Sequence, residues 1–399
     1  MAPQDSTSWL DDPTAVGTGL PLEGMRVLDL SRVLAGPLCA MIAADLGADV
    51  IKVEQHSGDP VRAMAPPSVD GDATYYLAVN RNRRSIVVDL TTAEGRALVG
   101  DLARQADAVV ENFLPSQAEQ LGIAALRSEL TEVVWVTISP ATSGGPLADL
   151  PSFDLLAQAR SGIMGVTGTP VSGPMKVGAP IADVVTGLYA CIGLLAGLLA
   201  RLQRPSDPAH RVEAPLLESM MASLINQAAG YLATGNEPVL LGNEHPSIAP
   251  YAPYPAADGD VLVAVGTERQ WRELCAAMEA TELGDDPRFS DNARRVANRA
   301  AMRTELEARF ATKTIAEWLG RFEAANVPCA PVNTVAAAFA QEQITNGDLV
   351  QDVTLATGTT IKMVGSPLVV DGHHLPIRRR PPLLGEHTDE IAHREEEER

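Results

Sequence analysis

From residue 26 onward the chain alternates short, strongly apolar runs with stretches of helical periodicity. Arg26-Val-Leu-Asp-Leu30 reads as a strand. After Gly36-Pro37, Leu38 to Leu46 repeats its apolar positions at helical spacing, and Gly47 stops it. Asp49 to Val53 is a second buried strand. A strand, a helix and a strand so close together form a βαβ unit, which predicts a parallel sheet with a right-handed crossover. The alternation continues with a strand at Ser85 to Leu90, a helix at Ala93 to Gln105 capped by Thr91 or Thr92, and a strand at Ala108 to Glu111. Two short helices and a strand at Val133 to Ile138 follow. The pattern predicts an α/β, Rossmann-like doubly wound large domain. Ligands of such sheets bind beyond the carboxyl ends of the strands, so the loops Ser31 to Pro37, Glu54 to Asp59 and Asn112 to Pro115 share a rim.

Farther along, helices are expected at Phe153 to Gly162, Asp183 to Leu202 and Pro215 to Ala233. Beyond Glu244 the prolines at 246, 250, 253 and 255 break the chain. A strand at Val261 to Val265 and helices at Arg269 to Met278, Asn298 to Phe310 and Ile315 to Ala324 then predict a smaller α+β domain. Strand-like sequence returns at Thr360 to Met363, before the Pro- and Arg-rich Ile377 to Leu384. The expected organisation is a flexible tail over 1–20, a large domain over 21–243, a small domain over 244–331, a C-terminal segment over 332–393 and a charged tail over 394–399.

Composition narrows the function. With 399 residues, 46% of them hydrophobic and only 4% aromatic, the chain suits a helix-rich soluble enzyme. A formal charge of −20 argues against nucleic acid or an acidic membrane as a partner. A phosphate-bearing ligand therefore needs a local basic patch. The N-terminal third offers one in Arg26, Arg32, Lys52, Arg62, Arg81, Arg83 and Arg84, which read equally well as scattered solvated charges. Cys39, Cys191, Cys275 and Cys329 lie far apart without a CxxC pair, which predicts a reduced, cytoplasmic protein with no metal site. The first twenty residues lack the basic start and apolar run of a signal peptide. Val184 to Ala200 is apolar over nearly a bilayer's width and is read as a buried helix of the large domain.

Familiar catalytic motifs are missing: the sequence has no GxGxxG after the first strand, no Walker A loop, no GxSxG and no HExxH. What remains is Asp183, at the start of the most hydrophobic helix in the chain. Asp favours the N-cap, where its carboxylate accepts backbone N–H bonds. A carboxylate there is also stabilised as the anion, the form a nucleophile needs, so both readings share one geometry.

Ordered segments of the sequence resemble the family III CoA-transferases, the CaiB/BaiF family, from Leu20 to about Ile391. They are Leu22-Glu-Gly-Met-Arg-Val-Leu-Asp-Leu-Ser-Arg-Val-Leu-Ala-Gly-Pro37, Leu46-Gly-Ala-Asp-Val-Ile-Lys-Val-Glu54 and Asn80-Arg-Asn-Arg-Arg-Ser-Ile-Val-Val-Asp-Leu90. Asp107-Ala-Val-Val-Glu-Asn-Phe113, Phe153-Asp-Leu-Leu-Ala-Gln-Ala-Arg-Ser-Gly162, Ala182-Asp-Val-Val-Thr-Gly187 and Pro382-Leu-Leu-Gly-Glu-His-Thr-Asp-Glu-Ile391 complete the set. The resemblance implies that Asp183 attacks the thioester of an acyl-CoA, giving an aspartyl anhydride and then an aspartyl-CoA thioester that passes CoA to a carboxylic acid. It implies no permanently bound cofactor, only coenzyme A thioester as substrate.

Carried onto this chain, Leu34, Ala35, Gln55, Val88, Asp89, Leu90, Thr91, Asn112, Phe113, Leu114, Phe153 and Asp154 are the CoA-site candidates. Gln55 and Gln120 stand where some relatives carry Arg near the phosphates, which leaves Lys52, Arg62, Arg81, Arg83 or Arg84 as substitutes. The same fold hosts 2-methylacyl-CoA racemases, which place a histidine at the position of Phe153; a phenyl ring carries no exchangeable proton, and this disfavours racemisation. A non-catalytic acyl-CoA-binding protein would tolerate any residue at position 183. Relatives that handle formate and oxalate carry a glycine-rich loop that has no counterpart between Gly235 and Gly259, which leaves larger dicarboxylic, carnitine-like, aromatic or steroid-derived acids open. The resemblance also implies a homodimer of interlocked chains.

Overall fold

The computed structural model describes residues 14–392. The charged tail 394–399 and most of the N-terminal tail lie outside the described residues. A central sheet consists of β1 (Arg26–Asp29), β2 (Asp49–Glu54), β3 (Arg84–Val87), β4 (Ala108–Glu111), β5 (Val134–Ser139) and β6 (Arg211–Pro215). The spatial order is β6-β5-β4-β1-β2-β3. Every pairing is parallel, with Val27 of β1 opposite Val50 of β2 and Ala108 of β4. All six residues of β2 and all four of β4 are buried, the unbroken burial of a strand covered on both faces.

Helices α1 (Ala35–Asp45) and α4 (Ile181–Gln203) cover one face, over Val27, Val50, Val110, Val134 and Val136. Helix α2 (Ala93–Gln105) covers the other, over Leu28, Ile51, Val109 and Trp135. Fully burying each of these aliphatic side chains contributes roughly 1.5–3 kcal/mol.

Local chemistry explains the element boundaries. Helix α1 starts three residues earlier than its apolar periodicity suggests, because Pro37 falls in the first turn, where a missing N–H costs no helical bond. Gly47 ends the helix at φ 109°, and a Cβ there would stand 2.7 Å from that of Leu20. Thr92, not Thr91, caps α2, its hydroxyl accepting from the Gly95 amide at 3.0 Å.

Strand β6 went unread in the sequence. It is a short edge strand with a single fully buried residue, Ala214, aligned on β5 as Ala214 opposite Ile138. The expected helix over Pro215 to Ala233 is in fact two, α5 (Leu216–Ala222) and α6 (Asn226–Thr234), separated where Ile225 takes φ 41° with no Gly or Pro to announce the break.

Helix α4 departs from the expectation of a buried helix. Ala182, Thr186, Gly187, Ala190, Cys191, Leu194, Gly197 and Leu198 face the core, whereas Leu188, Tyr189, Ile192, Leu199 and Leu202 are exposed. The buried face is lined with small residues because α1 and the sheet approach closely; a Cβ on Gly187 would stand 2.7 Å from the Ala35 carbonyl oxygen.

The chain divides into two compact units. Among the described residues the first comprises 14–163, 176–234 and 343–392. Its C-terminal segment lies along β3, where the Val87 amide donates to Thr388 Oγ1 at 3.0 Å and the His387 amide to the Ser85 carbonyl at 2.9 Å. The second comprises 164–175 and 235–342, boundaries that differ from the contiguous 244–331 expected. It holds an antiparallel sheet of β7 (Tyr251–Ala256), β8 (Gly259–Ala264) and β9 (Cys329–Pro331). Helices α7 (Glu268–Ala277), α8 (Arg299–Phe310) and α9 (Ile315–Ala324) supply its aromatic core of Trp271, Phe310, Trp318 and Phe322.

Candidate active site

The loop from β1 to α1 begins at the carboxyl end of a central strand. Its backbone is held from below by charges that are 0% exposed. Lys52 Nζ lies 2.9 Å from Asp59 Oδ2 and 3.9 Å from Asp29 Oδ2, and donates to the Ser31 carbonyl at 2.9 Å. Arg83 pairs with Asp29 at 2.8 Å and donates to the Pro37 carbonyl at 2.6 Å. Asn112, after β4, ties the same loop laterally, accepting from the Arg32 amide at 3.0 Å and donating to the Arg32 carbonyl at 2.8 Å.

Above this loop lies a cavity of about 330 Å³. It brings together Leu34, Ala35, Asn112, Leu114, Phe153 and Asp183 of the predicted residues, with Arg32, Val33, Met64 and Ser139 beside them. A smaller pocket of about 100 Å³ collects Gln55, Val88, Asp89, Leu90, Thr91 and Phe113. Arg32 lines both, its guanidinium 5.2 Å over the Phe113 ring. The larger cavity is at the lower end of the size range of small-molecule sites.

Asp183 is not the N-cap. It occupies the third position of α4, whose N-cap is Pro180. The cap comes from Asp154 at the start of α3 (Asp154–Ser161): its Oδ1 accepts from the Ala182 amide at 2.8 Å, and its Oδ2 from Gln158 Nε2 at 2.7 Å. Gln158 in turn accepts from the Val177 amide at 2.8 Å. Asp154 therefore does not line the cavity but satisfies the end of the helix that carries Asp183. This leaves the Asp183 carboxyl, among the described residues, without a hydrogen bond or ion pair, facing the cavity.

The expected stabilisation of an Asp183 anion does not hold either. Burial, and then the negative charge of Asp154, push its titration from 3.8 up to about 7. The favourable helix end is outweighed by this desolvation and by the like charge of Asp154, which already takes the Ala182 amide.

Tyr75, in the short helix Thr74–Val79, was missed because Thr-Tyr-Tyr-Leu-Ala-Val reads as simply apolar. Burial, then the charges of Asp183, Asp154 and Asp59, push its phenol up to about 12, which places a neutral hydroxyl within electrostatic reach of the Asp183 carboxyl.

Five of the seven cations of the N-terminal third are held in ion pairs. Lys52 and Arg83 are occupied as described, Arg81 pairs with Asp45 at 2.5 Å, and Arg84 pairs with Asp49 at 2.7 Å and Glu390 at 3.1 Å. Arg62 pairs with Glu54 at 2.8 Å and Asp72 at 3.3 Å. Burial opposes ionisation of Glu54, yet Arg62 and Lys52 hold it at about 2. Each of these five cations already balances a buried carboxylate within the fold. Two arginines without a carboxylate partner among the described residues stand near the pockets instead. One is Arg32. The other is Arg96, whose Nη1 donates to the Leu90 carbonyl at 3.1 Å and the Thr91 carbonyl at 2.9 Å.

Comparison with known proteins gives this arrangement a family. The family model for CoA-transferase family III matches residues 22–388. A succinate–glutarate CoA-transferase from Agrobacterium fabrum is 38% identical over 380 residues, 93% of this chain and 94% of the relative. A succinyl-CoA:mesaconate CoA-transferase from Haloarcula hispanica is 36% identical over 381 residues, 93% and 95% of the two chains. The crystal structure of a CaiB/BaiF family protein from Brucella suis superimposes with a TM-score of 0.82 at 36% identity, covering 93% of this chain and 98% of that one. The match spans the sheet, the Asp183 helix and the C-terminal segment along β3, so the chain belongs to CoA-transferase family III.

Proposed function

We propose that this CoA-transferase moves CoA between short dicarboxylic acids, with Asp183 as the nucleophile. The observation that carries the reading is a partly buried carboxyl that makes no hydrogen bond and faces a cavity of about 330 Å³. Titration near neutrality leaves a large fraction ionised at pH 7, and the scarcity of solvating groups keeps that anion reactive.

An Asp183 oxygen adds to the thioester carbonyl of the donor, the C–S bond breaks and CoA thiolate leaves, giving a mixed anhydride. The thiolate then attacks the Asp183 carbonyl carbon and releases the donor acid, leaving an aspartyl-CoA thioester. An acceptor carboxylate repeats the two steps in reverse and restores Asp183. Each intermediate stays as activated as the substrate, provided water is kept out. Dicarboxylic substrates are favoured because relatives at 35–38% identity are named for succinate, glutarate and mesaconate transfer.

Arg32 and Arg96 meet the CoA phosphates; the reading is supported by Arg32 lining both pockets, by Arg96 on the carbonyls of Leu90 and Thr91 of the smaller one, and by the neutral Gln55 and Thr91 there. A second copy of the chain covers the exposed apolar face of α4, a reading supported by Leu188, Ile192, Leu199 and Leu202 in one stripe. Four free thiols support a reducing, cytoplasmic setting. Phe153 at the cavity offers no second base, which tells against racemisation.

The test is incubation with a panel of acyl-CoAs followed by hydroxylamine or borohydride trapping. An adduct confined to Asp183 and lost in Asp183→Ala supports the reading. Exchange of the α-proton with D2O and no adduct refutes it in favour of racemisation.

A further inference from the structure

Val33 takes φ 71°. For a β-branched side chain this left-handed conformation is a genuine outlier, and it persists only where the surroundings impose it. Val33 lines the cavity that contains Asp183, and it is the hinge at which the chain leaves β1 to enter α1.

The restraint is identifiable. The Val33 amide donates to both oxygens of Asp59, at 3.2 and 3.3 Å. Asp59 is itself fixed by three further contacts: Lys52 Nζ at 2.9 Å, the Val61 amide at 3.1 Å, and through its own amide Glu54 Oε2 at 2.9 Å; Lys52 also grips the Ser31 carbonyl two residues before Val33. Both side chains of the Lys52–Asp59 pair are 0% exposed. A buried pair of this kind is a poor source of stability compared with apolar packing, so stability alone does not account for it.

We infer that Asp59, backed by Lys52, is a positioning residue: it holds Val33 in the left-handed conformation and so fixes the wall of the cavity against which Asp183 works. The inference rests on Asp183 being the nucleophile. Without the clamp Val33 relaxes toward its ordinary conformers, which it favours by roughly tenfold to a hundredfold. The wall then loosens, the reacting groups lose alignment, and water gains access to the anhydride and thioester.

The experiment uses the full chain with succinyl-CoA and glutarate, measuring both CoA transfer and hydrolysis of succinyl-CoA. Wild type is first trapped with hydroxylamine; no Asp183 adduct refutes the nucleophile reading and, with it, the clamp. Given an adduct, Asp59→Ala should lower kcat for transfer by tenfold to a hundredfold with KM within about threefold, and raise the ratio of hydrolysis to transfer. Adding Val33→Gly to Asp59→Ala should restore roughly tenfold of kcat, because glycine adopts this conformation without penalty. Asp59→Asn keeps an acceptor for the Val33 amide and should fall between the two even if the alanine variant folds poorly. A wild-type kcat in both Asp59 variants overturns the clamp. So does a loss of kcat that tracks thermal stability alone, with an unchanged hydrolysis ratio and no rescue by Val33→Gly.

Discussion

Replacing Asp154 by Asn tests the electrostatics of the site. The charge on Asp154 is the smaller of the two causes that raise Asp183 from 3.8 to about 7. Removing it should return less than half of that rise, so the midpoint falls to between about 5.5 and 7. Asn keeps an oxygen for the Ala182 amide, so the cap on α4 survives, while the contact with Gln158, whose oxygen stays on the Val177 amide, is given up.

On the proposed mechanism Asp183 attacks as the anion, so the rate of adduct formation should rise with pH through its titration, and in Asp154→Asn the rise should come at lower pH by up to about 1.5 units. Single-turnover trapping of the aspartyl adduct with hydroxylamine from pH 5 to 9 reads this directly. The same midpoint in both proteins, or adduct formation that increases as pH falls, would refute the argument.

Asp183→Asn should abolish transfer yet stabilise the fold. The native carboxyl is raised, so its contribution is fully present below about pH 4 and is lost as pH rises through about 7. The variant escapes that loss, and its Tm should exceed wild type at pH 8, by a free energy of at most about 4 kcal/mol, and match it near pH 4. Arg96→Ala should raise KM for acyl-CoA about 5- to 30-fold with kcat nearly unchanged, the loss of one charge-assisted contact, and a thioester of pantetheine alone should not distinguish it from wild type. Gly187→Ala forces a Cβ against the Ala35 carbonyl oxygen at 2.7 Å and should cost about 1–3 kcal/mol, seen as a lower urea midpoint.

The parts of the molecule that local sequence determined are those whose physics is local. The β1-α1-β2 unit follows from apolar periodicity, a proline in a first turn and a glycine at φ 109°, all within 29 residues from Arg26 to Glu54. The candidate residues Leu34, Ala35, Asn112, Leu114, Phe153 and Asp183 could be named because ordered motifs carry them, and the fold collects them around one cavity.

Tertiary structure decided the rest. Which of two carboxyls caps α4 depended on α3 reaching across 28 residues. Whether seven basic residues made a phosphate site depended on partners as remote as Glu390 for Arg84 and Asp45 for Arg81. The titration of Asp183 moved up rather than down, against the expectation for a helix end, because burial and a like charge were both supplied by distant parts of the chain. Hydrophobic periodicity reports which face of an element is covered, whereas desolvation and ion pairing depend on what covers it, and only folding brings those groups within a few ångströms.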